Sequence, residues 1–156
     1  MVDAEEWVRR VTECLVTCKW SEADSVVREF LEWADTHICE RLRELGYMCY
    51  RDMVEAGGEG RAEAEFEALL DRIYSLPYGL AVMKTLNATR VLFECLRAYE
   101  KRDRDYKLYA VDRAVYALEK GLPEMSRWAG YYPRPRLSRG FRYRVARELP
   151  RLLWDK

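Results

Sequence analysis

Apolar residues recur every three to four positions through most of the first 130 residues, and this spacing limits the possible folds more than any other feature of the chain. Five separate stretches follow the period of an amphipathic α-helix, whereas no stretch before residue 131 alternates with the period of two that a half-buried strand requires. The sequence therefore predicts an all-α protein, organised as a single-domain bundle of about five to six helices.

Caps, glycines and prolines set the expected helix boundaries. Ser21 precedes an acidic turn and is the expected N-cap of the second helix. Gly46 is expected to end or weaken that helix, and Pro77 to end the third. The run Gly57-Gly58-Glu59-Gly60 has no hydrophobic content and predicts a flexible loop. Helices are expected near residues 3–18, 66–76, 80–99 and 106–121, and a second helix is expected from residue 21, either to Gly46 or past it to Met53. A short sixth helix is expected to start at Pro123.

The fourth of these stretches is expected to form the centre of the fold. Residues 80–99 are apolar on most of the helix circumference, which is typical of a buried helix. The chain is 49% apolar and 35% charged, far from the composition of a disordered protein, so we expect one folded domain.

The charge of the chain is unevenly distributed. Residues 1–75 contain nine basic and eighteen acidic side chains, a local charge of −9, whereas residues 76–130 carry +3 and residues 131–156 carry +6. The zero net charge conceals an acidic first half and a basic end, an asymmetry that can mark a contact with a polyanion. We therefore divide the chain into a helical core, residues 1–130, and a basic aromatic C-terminal extension, residues 131–156, which packs on the core or projects from it.

This C-terminal extension contains the candidate binding residues. Its arginines alternate with aromatic side chains, so guanidinium groups could pair with phosphates while rings stack on unpaired bases. Pro133 and Pro135 favour an extended segment at its start. The alternative is that the C-terminus simply docks on the core through Phe141, Val145, Leu149 and Trp154, while the arginines stay solvated. The candidate nucleic-acid-binding residues are Arg134, Arg136, Arg139, Arg142, Tyr143, Arg144, Arg147 and Arg151.

These observations favour a non-enzymatic helical module that binds nucleic acid, either alone or as a small subunit of a larger ribonucleoprotein or DNA-processing assembly. The alternative is a protein–protein adaptor or homo-oligomer, in which the basic extension docks on an acidic surface like that of residues 1–75. The sequence does not discriminate between DNA and RNA, or between single and double strands.

No catalytic residue or cofactor is predicted. His37 is the only histidine and lies on the apolar stripe of the second helix, which indicates a core or half-buried histidine rather than a catalyst. Cys14 and Cys18 lie one helical turn apart, and with Cys39 and Cys49 they could hold a metal, form a disulfide or remain buried thiols. We favour buried thiols and predict no metal, because the spacing is not that of a zinc knuckle or ribbon.

Composition also bears on source and compartment. The chain contains no Gln, one Asn, and 21 Arg against 6 Lys, a pattern typical of a thermophilic archaeon or its virus. Residues 1–20 lack the continuous apolar segment of a signal peptide, and no window is long and apolar enough to span a membrane. We therefore expect a soluble, cytoplasmic protein.

Overall fold

The computed structural model describes residues 3–73 and 78–131, and these residues confirm the all-α prediction. No strand occurs in the described ranges, and no helix within them is long and apolar enough to cross a membrane. The helices are α1 (Ala4–Thr17), α2 (Trp20–Glu44), α3 (Tyr50–Ile73), α4 (Gly79–Arg97), α5 (Arg104–Tyr116) and α6 (Leu122–Tyr131), with a 3-10 turn at Tyr99–Lys101 and a π-helical turn at Ala117–Gly121.

The start of α1 follows directly from its sequence. The Asp3 side chain accepts a hydrogen bond from the backbone N–H of Glu6 at 2.8 Å, and two acidic residues occupy the first turn. Both features stabilise the positive end of the helix. Val8 and Val11 are the buried residues of α1, and they turn the helix against α2.

The N-cap predicted for α2 is wrong, and of the two alternatives left open for Gly46, the structure shows the end of the helix. Lys19, rather than Ser21, occupies the N-cap position, and its backbone carbonyl accepts from Glu22 and Ala23 without a side-chain cap. Backbone bonds suffice here because α2 is anchored by its buried stripe. At the other end Gly46 has φ +90°, the left-handed conformation that ends a helix.

The glycine-rich run Gly57–Gly60 does not form the predicted loop. It continues α3, with one break at Gly58, where φ is +81° and ψ is 166°. Met53 before the break and Phe66 after it are both buried, so each half of α3 is held by the core. Because tertiary packing fixes both halves of α3, the weak helix propensity of this run does not end the helix, and the chain only changes direction at Gly58.

The predicted central role of α4 is confirmed. This helix contacts α2, α3, α5 and α6. Its buried residues surround most of its circumference and are Gly79, Ala81, Val82, Thr85, Leu86, Ala88, Thr89, Val91, Leu92 and Cys95.

The fifth helix does not stop at Gly121 as predicted. The chain changes to π-helical hydrogen bonding over Ala117–Gly121 and continues directly into α6, with Pro123 at its second residue. Gly121 packs against Thr85 of α4 so closely that a Cβ atom would overlap the Thr85 hydroxyl. Glycine is therefore required by close approach of two helices, and not by the end of one.

Candidate functional site

The candidate binding residues of the C-terminal extension lie outside the described residues. This applies to Arg134, Arg136, Arg139, Arg142, Tyr143, Arg144, Arg147 and Arg151. Their role in binding therefore stays a prediction.

The acidic half of the chain is largely paired with arginines of the core itself. Arg90 of α4 lies 2.9 Å from Glu63, 3.3 Å from Glu67 and 3.4 Å from Glu94. Arg97, about two helical turns further along the same face of α4, pairs with Glu59. Glu59, Glu63 and Glu67 thus form an ion-pair network between α3 and α4, whereas Glu65 pairs with Arg61 inside α3 at 2.9 Å.

Taken together, such pairs account for most of the acidic half. Ten of its eighteen carboxylates lie within 4.0 Å of a Lys or Arg nitrogen of the described residues. The ten are Glu13, Asp24, Glu32, Asp35, Glu44, Asp52, Glu59, Glu63, Glu65 and Glu67.

A different arrangement of cations occurs where α5 packs against α4. Tyr106, Tyr109, Arg113 and Tyr116 fall on one face of α5, because they are spaced by three, four and three residues. The Arg113 guanidinium lies 5.8 Å from the ring centroid of Tyr109 and 5.6 Å from that of Tyr116. From α4, the Lys84 ammonium lies 5.3 Å from the Tyr116 ring. We call these five residues the tyrosine surface.

The tyrosine surface is partly exposed, and its Arg113 also pairs with Asp112 at 2.7 Å. Tyr109 is 45% exposed, and the nearby Leu80, one turn before Lys84 on α4, is 55% exposed. Rings and cations that lie side by side can stack on bases and pair with phosphates. The sequence predicts only that Tyr106, Tyr109 and Tyr116 belong to the helix near residues 106–121. The periodic arginine among them was the signal that could have identified an outer face.

One further cation is buried between α2 and α5. Lys107 is only 7% exposed, and its ammonium lies 3.1 Å from Asp24 and 4.1 Å from the ring centroid of Tyr99. The Tyr99 hydroxyl donates to the same Asp24 carboxylate at 2.8 Å. Burial, followed by this hydrogen bond, raises the pKa of Tyr99. Since the three groups satisfy one another inside the core, their role is structural.

A cleft of about 470 Å³ opens between α2 and α6. Its walls combine apolar side chains with the polar groups of His37, Arg41 and Glu44. His37 is half-buried, as predicted, and stacks on Trp33 with ring centroids 4.9 Å apart. Burial, and then the charge of Arg41, lowers the pKa of His37. The ring is therefore neutral near pH 7, and Arg41 already pairs with Glu44 at 2.9 Å.

The cysteines depart from the prediction of buried thiols in one respect. Cys39 and Cys49 form a disulfide that ties the end of α2 to the start of α3, and both are fully buried. A cross-link over a loop of this length, ten residues, stabilises a fold by roughly 2.7 kcal/mol in the chain-entropy account. The spacing of five cysteines in sequence cannot identify the pair, because only the turn after Gly46 brings them together.

The remaining cysteines are free. Cys95 is buried, as predicted, while Cys14 and Cys18 are half-buried. Within the described part of the chain, no three His, Cys, Asp or Glu side chains come together as a metal site.

Comparison with known proteins identifies no relationship. No protein-family model, no curated protein and no solved structure matches the chain. The class that the fold and the described residues define is therefore a small all-α domain with an ion-paired acidic side and an exposed tyrosine surface.

Proposed function

We propose that the protein is a non-enzymatic helical module that binds nucleic acid through its basic C-terminal extension, and that it works as a small subunit of a larger ribonucleoprotein or DNA-processing assembly. The observation that carries this proposal is the pairing of ten acidic side chains of residues 1–75 with the core's own cations. These pairs reduce the acidic surface on which the extension could dock within the same molecule.

Charge distribution supports the same proposal. Residues 1–130 carry −6 and residues 131–156 carry +6, so attraction to a phosphate backbone is concentrated in the extension. The acidic core repels a polyanion at longer range, which would orient a strand towards the extension. The tyrosine surface offers a second contact, with rings that stack on bases whatever their sequence.

The ion-pair networks also fit the predicted thermophilic source. Arg90 joins three carboxylates, and Arg28 joins two, Glu32 at 3.3 Å and Glu100 at 2.6 Å. Networks of this kind gain value as temperature rises, because the cost of desolvating charges falls. A thermophilic archaeal or viral origin and a cytoplasmic location are therefore retained as part of the proposal.

The proposal is tested by fluorescence anisotropy with labelled single-stranded DNA, single-stranded RNA and duplex DNA over a range of salt concentrations. Single-strand affinity should fall as salt rises, with a logarithmic slope of about −0.7 for each phosphate neutralised. Replacement of Arg136, Arg139, Arg142 and Arg144 by Ala should therefore reduce the steepness of the slope by about 2.8.

A matched control distinguishes the effect of the arginines in the extension from the effect of removing any four positive charges. Arg10, Lys19, Arg104 and Arg127 are exposed and form no ion pair with other described residues, so replacing these four by Ala removes the same charge from the core. This control should leave most of the salt slope intact. Equal losses in the two quadruple variants, or no binding by the wild-type chain at low salt, would refute the role of the extension.

The second candidate function is a protein–protein adaptor or homo-oligomer. It is favoured by the carboxylates that keep no ion pair with other described residues, among them the exposed Glu5 and Glu6 at the start of α1. Light scattering after size exclusion, at low and high salt, tests it. A dimer of the intact chain that dissociates when residues 131–156 are removed would favour this function over nucleic-acid binding.

A further inference from the structure

The two free, half-buried cysteines lie in contact at the junction between α1 and α2. Cys14 is in the last turn of α1, and Cys18 is its C-cap residue, whose backbone N–H donates to the Cys14 carbonyl at 2.8 Å. The Sγ atoms of Cys14 and Cys18 lie 2.6 Å apart. Both side chains keep partial access to solvent.

This geometry is close to that of a disulfide. A regular helix separates Cα atoms four positions apart by roughly 6 Å, within the usual range for cystine. The sulfur–sulfur distance of 2.6 Å is only roughly 0.5 Å longer than a disulfide bond. Cys18 has φ −93° and ψ 156°, already outside the helix, so its backbone can adjust without breaking further helical hydrogen bonds.

We propose that Cys14 and Cys18 form a reversible thiol–disulfide site that exchanges with low-molecular-weight disulfides such as oxidised glutathione. The Cys18 thiolate attacks one sulfur of the small disulfide, whose S–S bond breaks and releases one thiol. Cys14 then loses its proton and attacks the Cys18 sulfur of the mixed disulfide, which releases the second thiol. In sum, the two cysteines lose two electrons and two protons, and the small disulfide is reduced to two thiols.

The order of the two steps follows from the contact between the sulfurs. The interaction with the Cys18 thiol, followed by burial, raises the pKa of Cys14 to about 11. Cys14 therefore keeps its proton until Cys18 has reacted. The thiolate is the reactive form of cysteine, so ring closure should accelerate as pH rises.

The second cysteine pair provides an internal comparison. Cys39 and Cys49 have no exposed surface, so a small thiol cannot reach their disulfide in the folded protein. Cys95 is also fully buried. Cys14 and Cys18, which are half-buried, should therefore be the only cysteines that exchange. This inference does not depend on whether the protein binds nucleic acid.

The test is a redox titration of the intact folded chain in buffers of stepped reduced-to-oxidised glutathione ratio. Samples are quenched with acid, denatured, alkylated with N-ethylmaleimide and mapped by peptide mass spectrometry. Alkylation of Cys14 and Cys18 should fall together to zero as the buffer becomes more oxidising and recover fully on return to reduced glutathione. Cys39 and Cys49 should stay unalkylated throughout.

Two variants test the assigned roles. Cys14→Ser should stop at a mixed disulfide between Cys18 and glutathione, whereas Cys18→Ser should form an adduct more slowly, and Cys95→Ser should behave as wild type. The proposal is overturned if Cys14 and Cys18 stay alkylatable at the most oxidising ratio, or carry one glutathione each. It is equally overturned if they form a disulfide that reduced glutathione cannot open, or if Cys39 and Cys49 exchange first.

Discussion

Cations on the two sides of α4 have different partners. Towards α3, Arg90 and Arg97 pair with glutamates and also lie over aromatic rings. Towards α5, Arg113 lies over tyrosine rings but pairs with Asp112 at 2.7 Å, whereas Lys84 lies over the Tyr116 ring and forms no ion pair with other described residues. Lys84 thus remains able to attract an anion, because α5 supplies a ring to it, whereas α3 supplies carboxylates to Arg90 and Arg97.

We expect the largest loss of stability at Lys107, a buried cation that contacts both the Asp24 carboxylate and the Tyr99 ring. In Asp24→Asn, Lys107 keeps the Tyr99 ring but loses its carboxylate, and a buried charge without a counter-ion is costly. We expect the free energy of unfolding to fall by about 3 kcal/mol, measured by urea denaturation. The control Glu100→Gln, which removes a 75% exposed partner of Arg28, should cost less than about 0.5 kcal/mol. Similar losses in both variants would show that burial does not determine how much an ion pair contributes to the free energy of unfolding.

The next effect compares the two sides of α4 directly. Arg90→Met removes a cation that joins three glutamates and leaves those negative charges close together. We expect a loss of about 1–2 kcal/mol that shrinks as salt rises. Lys84→Met removes one contact with a ring and should cost about 0.5 kcal/mol. If Lys84→Met lowers the free energy of unfolding more than Arg90→Met does, the tyrosine surface contributes to stability and is not a surface free to bind a partner.

The tyrosine surface should affect binding more than stability. Tyr109→Ser removes a ring that is 45% exposed, so the melting temperature should change little. Loss of one stacked base should weaken single-strand affinity by about 1 kcal/mol, or roughly fivefold, in the anisotropy assay. Leu80→Ser changes a neighbouring exposed side chain without a ring and should leave affinity unchanged. Equal affinities for Tyr109→Ser and wild type would exclude this surface from the binding site.

The smallest expected effect is a pH dependence from His37. Because its pKa in the folded protein is lowered from 6.5, the unfolded chain binds more protons between the two values. Stability should therefore fall slightly as pH is lowered through 6.5 towards 5, and His37→Gln should show a flatter profile in that window. The difference between the two urea profiles isolates His37, because Asp35, whose pKa burial raises, is present in both. A steeper acid loss in His37→Gln would contradict the assigned direction.

Much of the fold was predictable from local pattern. The apolar spacing of Val8 and Val11 gave α1 its inner face, Gly46 ended α2 through its left-handed backbone, and the apolar circumference of residues 80–99 identified the central helix. Each of these signals acts within a few residues along the chain. Local physics is therefore enough to interpret them.

The wrong predictions share a different cause. Gly58 was predicted to lie in a flexible loop, but it lies at a break inside α3, whose two halves are both held by the core. Gly121 was predicted to end a helix, but it allows the Thr85 hydroxyl of α4 to approach closely. Of the candidate site, the predicted residues lie beyond Tyr131, and the tyrosine surface was missed, because the exposure of Tyr109 depends on which face of α5 meets α4.

The sequence by itself determined the helical class, the position of the central helix and the separation of acidic and basic charge. These depend on residue type and on spacing along the chain. Only the tertiary structure decided which cations form ion pairs with carboxylates, which aromatic rings are exposed, and which cysteines contact one another. Those outcomes depend on contacts between helices that are distant in sequence, such as Arg90 with Glu63 or Lys107 with Asp24, and no local period records them.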